Sequence, residues 1–143
     1  MTIEALTEID QLELLIESSV VEGYRFVTRL MDDYRSGANR FAGRGELLLV
    51  ARADDATVLG VCGLNAAARA GVGRVRRFYV LPAMRSRGIG AALLEQIVSA
   101  ARLHFTRLEL HTDSPRAAAF YVAHGFRSVQ RQDATHELEL NPC

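Results

Sequence analysis

Lysine is absent from this 143-residue chain: all 17 basic residues are arginine, and 17 acidic residues balance them. A formal net charge of +0 excludes a general, charge-driven nucleic-acid binder. Without lysine there is no Walker A loop, which requires Gly-Lys-Ser/Thr, and no lysine side chain for the protein to acylate on itself. Cysteine is scarce. Cys62 and Cys143 provide neither a disulfide framework nor a metal-ligand spacing, so a reducing compartment and no metal are expected. No apolar run approaches the ~20 residues of a membrane span. The start, Met1-Thr2-Ile3-Glu4, is acidic where a secretory leader is basic, so a cytoplasmic location is expected. Repeats, low-complexity tracts and linker-like stretches are also missing. What is present is 49% hydrophobic residues over a length that suits one domain, residues 1–143, with a buried core.

The apolar pattern gives an order of elements. Residues 2–6 read as a strand and 8–19 as a helix, with Ile9, Leu12, Leu15 and Ile16 at helical spacing. A second helix is expected over 21–34, burying Phe26, Val27, Leu30 and Met31, and ended by Ser36-Gly37-Ala38-Asn39. The continuous apolar run within 46–53 predicts a strand covered on both faces. Asp54-Asp55 turns it into a strand at 58–65, and a third antiparallel strand follows at 74–81, closed by Pro82. A helix over 89–104 has Ile89, Leu93, Ile97, Val98 and Ala101 on one face. The strand at 107–112 alternates Leu108 and Leu110 with Glu109 and His111. Ser114-Pro115 starts a helix that stops at Gly125, and segments 126–131 and 136–140 close the chain as a hairpin. The order β-α-α-β-β-β-α-β-α-β-β describes an α/β sandwich whose mixed, mostly antiparallel central sheet is flanked by helices.

The most informative segment is Arg85-Ser86-Arg87-Gly88-Ile89-Gly90-Ala91, between a strand and an amphipathic helix. Glycines there let the backbone turn sharply and approach a ligand. The helix start supplies unpaired N–H groups and the positive end of the macrodipole, a natural seat for a phosphate. Arg85 and Arg87 add charge that can reach the same anion. A Rossmann fingerprint is excluded, because its third glycine falls on Leu93. Taken alone, the two glycines also fit a tight strand-to-helix turn.

Arg-x-x-Gly-x-Gly-Ala after Phe78-Tyr79-Val80-Leu81-Pro82 resembles the acyl-CoA signature of the GNAT-type N-acetyltransferases. The resemblance continues through Leu110-His111-Thr112 and Ala117-Ala118-Ala119-Phe120-Tyr121-Val122-Ala123-His124-Gly125-Phe126, which looks like the family's second motif. The element order agrees too, so nearly the whole chain is covered, and a GNAT-like fold is implied. The resemblance implies acetyl-CoA as co-substrate, with its pyrophosphate on the backbone of Arg85, Ser86, Arg87, Gly88, Ile89, Gly90 and Ala91. It further implies that pantetheine pairs with main-chain groups of Phe78 and Val80, one N–H polarising the thioester carbonyl.

Tyr121 matches the family's general acid toward the departing thiolate, and a packing residue beside Phe120 is the competing reading. Ser114 stands where the family often has an asparagine that contacts the pantetheine arm, and it also suits a helix cap. No general base stands out. Glu46, Glu109 and His111 are the nearest titratable groups, with His111 the best matched by intrinsic pKa, although alternation also allows it to face solvent. Cys62, inside an apolar strand, reads as a buried residue rather than an acyl-carrying nucleophile. The acceptor side falls to the two N-terminal helices and their following loop, where carboxylates suit an ammonium and arginines a carboxylate or phosphate. The activity implied is acetyl transfer to a primary amine of a small molecule or peptide, by direct attack in a ternary complex. The alternative is a non-catalytic acyl-CoA binding or sensing module of the same fold. Partners are expected to exclude nucleic acid and membrane, with a homodimer left open.

Overall fold

The computed structural model describes residues 1–140, so Cys143 lies outside the described residues. Strand β1 (Thr2–Ala5) leads into a 3-10 turn (Ile9–Leu12) and helix α1 (Glu13–Val21), followed by helix α2 (Phe26–Ser36). Sequence periodicity places the start of α2 at Val21; α1 instead runs to Val21, the chain turns after it, and α2 begins at Phe26. The reason is Gly23, at φ +87°, which takes the left-handed conformation that closes α1. Tyr24 N–H donates to Ser19 O (2.9 Å) and Gly23 N–H to Val20 O (2.9 Å), the paired bonds of a Schellman motif.

Strands β2 (Leu47–Arg52), β3 (Val58–Ala66) and β4 (Val72–Val80) form an antiparallel meander. Helix α3 (Ile89–Ala101) then crosses over to β5 (Arg107–Leu110), which is parallel to β4. Helix α4 (Pro115–Ala123) precedes β6 (Arg127–Ser128) and β7 (His136–Glu139). The sheet order is β1-β2-β3-β4-β5-β7-β6, so the terminal hairpin places its last strand inside, next to β5.

The sheet carries two apolar layers. On one face α3 and α4 pack through Leu93, Leu94, Ile97 and Tyr121 against Leu49, Cys62, Leu64, Val75, Leu108 and Leu110. On the other, α1 and α2 pack through Leu12, Leu15, Val27 and Leu30 against Leu48, Val50, Val61 and Tyr79. Strands β2 and β3 lie under both layers, which accounts for their unbroken apolar runs. Glu109 on β5 is fully buried, and it stands opposite Glu137 of β7 in the register. Like charges so placed repel. Arg69, Arg107 and Arg131 surround Glu109, and Arg127 and Arg131 bond Glu137, so the pair is held by guanidinium forks.

The loop after α2 is tied to β3 by a reciprocal amide pair. Asn39 Nδ2 donates to Asn65 Oδ1 (2.9 Å) and Asn65 Nδ2 to Asn39 Oδ1 (3.0 Å). Glu46 Oε2 accepts from Asn65 Nδ2 (3.1 Å) and from Ala66 N–H (2.9 Å), which commits Glu46 to structure. This loop lays Phe41 over Gly63 so closely that a Cβ at 63 would meet the Phe41 ring at 2.4 Å and Arg76 O at 3.0 Å. Gly63→Ala is therefore expected to destabilise the fold by about 1–3 kcal/mol. Chemical denaturation measures it, and an unchanged midpoint would refute the contact.

Candidate active site

The site follows from where β4 parts from β5. The two strands pair only at Val72–Arg107, Gly73–Leu108 and Arg74–Glu109, after which each continues without the other. A one-residue bulge re-aims β4 beyond that point, since Gly63 opposes Arg76 while Val61 opposes Tyr79. Arg77, at φ +59°, takes the left-handed conformation of the extra residue. Leu81 N–H donates to Leu59 O (3.0 Å), and this phase directs the main-chain groups of Tyr79 to β3. Those of Val80, and of Phe78 by the same alternation, are directed to the opposite edge, where β5 has left a gap. The bulge carried no sequence signal, because arginine rather than glycine occupies its left-handed position.

Beside the gap, α3 begins without a side-chain cap and with no acid in its first turn. Arg85 N–H donates to Pro82 O (3.2 Å), and the next internal bond is Ala92 N–H to Gly88 O (3.0 Å). The intervening N–H groups, from Ser86 through Ala91, have no acceptor among the described residues. Ser86 (φ +65°) and Gly88 (φ +84°) curl this segment into a nest. A Cβ at Gly88 would enter open space, so glycine is set there by φ rather than by crowding. Run together, unpaired amides and the helix dipole form an anion cradle. Arg87 is exposed beside it and forms no ion pair among the described residues.

Arg85 departs from expectation. Its guanidinium is committed to Glu22 at the end of α1, Nη1 donating to Oε2 (2.8 Å) and Nη2 to Oε1 (2.7 Å). Its Nε donates to Val80 O (3.1 Å), and the group lies over the Tyr79 ring at 5.4 Å. Tyr79 OH donates to Glu22 Oε1 (2.6 Å) and meets Ser18 Oγ at 2.8 Å. The bond from Arg85, then that from Tyr79, holds the Glu22 carboxyl below its ordinary 4.5. The cradle thus belongs to Ser86 through Ala91, and Arg85 clamps α1 to β4. A pairing across 63 residues has no local sequence signature.

An aromatic floor adjoins the cradle. A Cβ at Gly90 would come within 3.6 Å of Phe120 and 3.7 Å of Phe78. Phe78 meets Phe120 at 5.8 Å and Tyr121 at 6.2 Å between ring centroids, with Phe126 5.4 Å from Tyr121. Tyr121 is 7% exposed, and burial pushes its phenol pKa up. Its hydroxyl makes no hydrogen bond among the described residues, so it is free for a ligand. Burial likewise raises the Cys62 thiol, which keeps it protonated and unreactive. Ser114 caps α4, its Oγ accepting from Ala117 N–H (3.2 Å). His111 lies apart: its side chain is 46% exposed, Asp113 is 3.6 Å away, and it makes no ring contact with Phe78, Phe120 or Tyr121.

A sheet parted at β4 and β5, with an anion cradle at the following helix, is the framework of an acyltransferase. The model for the acetyltransferase (GNAT) domain matches residues 44–128, and the chain belongs to this family. An acetyltransferase-family protein of Exiguobacterium sp. 255-15 is 38% identical, with 96% of this chain and 92% of that one covered at a TM-score of 0.87. The fold is shared with an aminoglycoside 6'-N-acetyltransferase solved with coenzyme A (14% identity, 100% and 99% covered, TM-score 0.77). It is shared as well with PaiA N-acetyltransferase of Thermoplasma acidophilum, also solved with coenzyme A (22% identity, 97% and 99% covered, TM-score 0.68). No curated protein matches the chain.

Because folding lowers the Glu22 pKa, its contribution to stability is present above 4.5 and lost as pH falls through the folded value. Glu22→Gln should therefore be less stable than the parent at pH 7, with the difference closing under acid. Paired thermal melts across roughly pH 3 to 7, a window that contains the ordinary carboxylate range, measure this. A difference independent of pH would dissolve the clamp.

Proposed function

We propose that this chain transfers acetyl from acetyl-CoA to a primary amine of a small molecule or peptide, by direct attack in a ternary complex. The observation that carries the reading is the uncapped run of N–H groups from Ser86 through Ala91 beside the β4–β5 gap. Such a run fits a pyrophosphate, and the free charge of Arg87 suits the same anion. The gap-facing main chain of Phe78 and Val80 suits the amide-bearing pantetheine arm. Val80 N–H is the donor proposed for the thioester oxygen, where negative charge develops as the amine attacks. Coenzyme A bound to two fold relatives supports the donor.

In this scheme a new N–C bond forms as the C–S bond breaks. Tyr121 gives its proton to the departing thiolate and is replenished with the proton that nitrogen loses. Burial keeps the phenol protonated, so it meets the developing thiolate as a hydrogen-bond donor. His111, from the rim, reaches the amine only through water. Positioning and oxyanion stabilisation supply most of the rate, since the thioester is already activated. The reaction needs no metal and no acyl-enzyme, and inert Cys62 agrees with that.

Calorimetric titration with acetyl-CoA, followed by thiol release with an amine pool, tests the reading. Binding with release supports transfer; binding with no release from any amine would support the sensing module instead. Tyr121→Phe should lower kcat about 100-fold and leave acetyl-CoA affinity unchanged. Unchanged kcat would return Tyr121 to a packing role.

A further inference from the structure

The bulge that turns β4 also sets the charge on the face toward α2. Val75, Phe78 and Val80 pack with the α3 layer, and Tyr79 with the α1–α2 layer. Alternation places Arg74 and Arg76 opposite Val75, and the inserted residue adds Arg77 to the same face. Arg77 reaches across to Asp33 of α2 at 3.5 Å. Burial, then the charge of Arg76, depresses the Arg77 pKa, with Arg29 of α2 adding to the effect against Asp33. Arg29, Arg76 and Arg77 thus gather about Asp33, Asp32 lines the same cavity as Arg29, and Arg74, where β4 still pairs with β5, lies 3.8 Å from Asp133. Arg29 and Arg76 form no ion pair among the described residues, and Arg74 Nη1 is buried without a hydrogen-bond partner. Phe41, over Gly63 opposite Arg76, supplies an apolar wall.

From this placement we infer that the acceptor amine carries an oxyanion, a carboxylate or a phosphate, which Arg76 and Arg29 hold while the amine reaches the gap. The inference rests on the acetyl transfer proposed above and names its substrate class. Arg76 lies two residues before Phe78 on β4, so the arginine face and the gap adjoin on one strand. A cationic polyamine or basic peptide would meet uncompensated positive charge on this face. The same charge favours the neutral form of an incoming amine, because a like charge disfavours the ammonium. An amine delivered neutral explains why no carboxylate base stands on β4.

The test compares acceptors that differ only in the acidic group: propylamine, β-alanine and 2-aminoethyl phosphate, each with saturating acetyl-CoA. We expect kcat/KM about 10- to 100-fold higher for an acid-bearing acceptor, the usual range for a charge-assisted hydrogen bond. β-Alanine against 2-aminoethyl phosphate then separates carboxylate from phosphate. Arg76→Gln and Arg29→Gln, which leave the bulge residue in place, should raise KM for the acid-bearing acceptor and shrink its advantage over propylamine; an advantage that survives both substitutions would overturn the assignment. Equal efficiency for propylamine, or neither turnover nor calorimetric binding of any acid-bearing member, would overturn the assignment. Failure to bind acetyl-CoA at all would overturn the underlying transferase reading, so the two failures are distinguishable.

Discussion

The arrangement depends on one broken continuity: β4 bonds β5 for three residues and then leaves it. A parallel pair that stayed together would satisfy both edges and seal the sheet. The inserted residue at Arg77 rotates the rest of β4, so Phe78 and Val80 turn their main-chain groups to an open edge. An open edge in mid-sheet is costly unless something completes it. A ligand that offers amide groups in extended form can complete it, and then the edge becomes a binding surface. The bulge has a second effect on the opposite face, where it puts two consecutive arginines on one side of a strand. The open edge and the paired arginines therefore have a common cause in one extra residue.

The two halves of the site are also joined by a polar clamp. Arg85 bonds Glu22 through a fork, bonds Val80 O, and covers Tyr79, so α1, the end of β4 and the cradle meet at one group. A guanidinium suits this place better than an ammonium, because a planar fork engages both carboxylate oxygens and stacks on a ring at once. The clamp also separates the arginines by role. Arg85 orders the scaffold, while Arg87 forms no ion pair among the described residues and leaves its charge exposed beside the cradle.

Much of this was legible in the sequence where the signal is local. Gly88 and Gly90 marked the cradle, alternation around Leu108 and Leu110 marked β5, and Ser114-Pro115 marked the start of α4, as the structure has them. Gly23 could have corrected the start of α2, since a glycine after an apolar helix is a stop signal. Long-range features were not legible. Alternation allows Glu109 to face solvent or to pair with arginine; the structure has the pairing, and it buries Glu109 because arginines from several segments converge on it, which no local pattern marks. The partner of Arg85 and the bulge at Arg77 were hidden for the same reason: each is decided by a residue distant in sequence.

The absence of lysine, first of all a feature of composition, gains a physical meaning from the site. Arg29, Arg76 and Arg77 share the face of β4 toward α2, and the charges of Arg76 and Arg29 lower the pKa of Arg77. Lysines crowded in this way would lose protons and become nucleophilic amines next to an activated thioester. Guanidinium groups start from a pKa so high that the same repulsion leaves them charged. Arginine therefore lets the face remain positive without becoming an acceptor itself. On the transfer proposed above, a site that holds an acyl donor beside an anion-binding surface has reason to build the second from arginine alone.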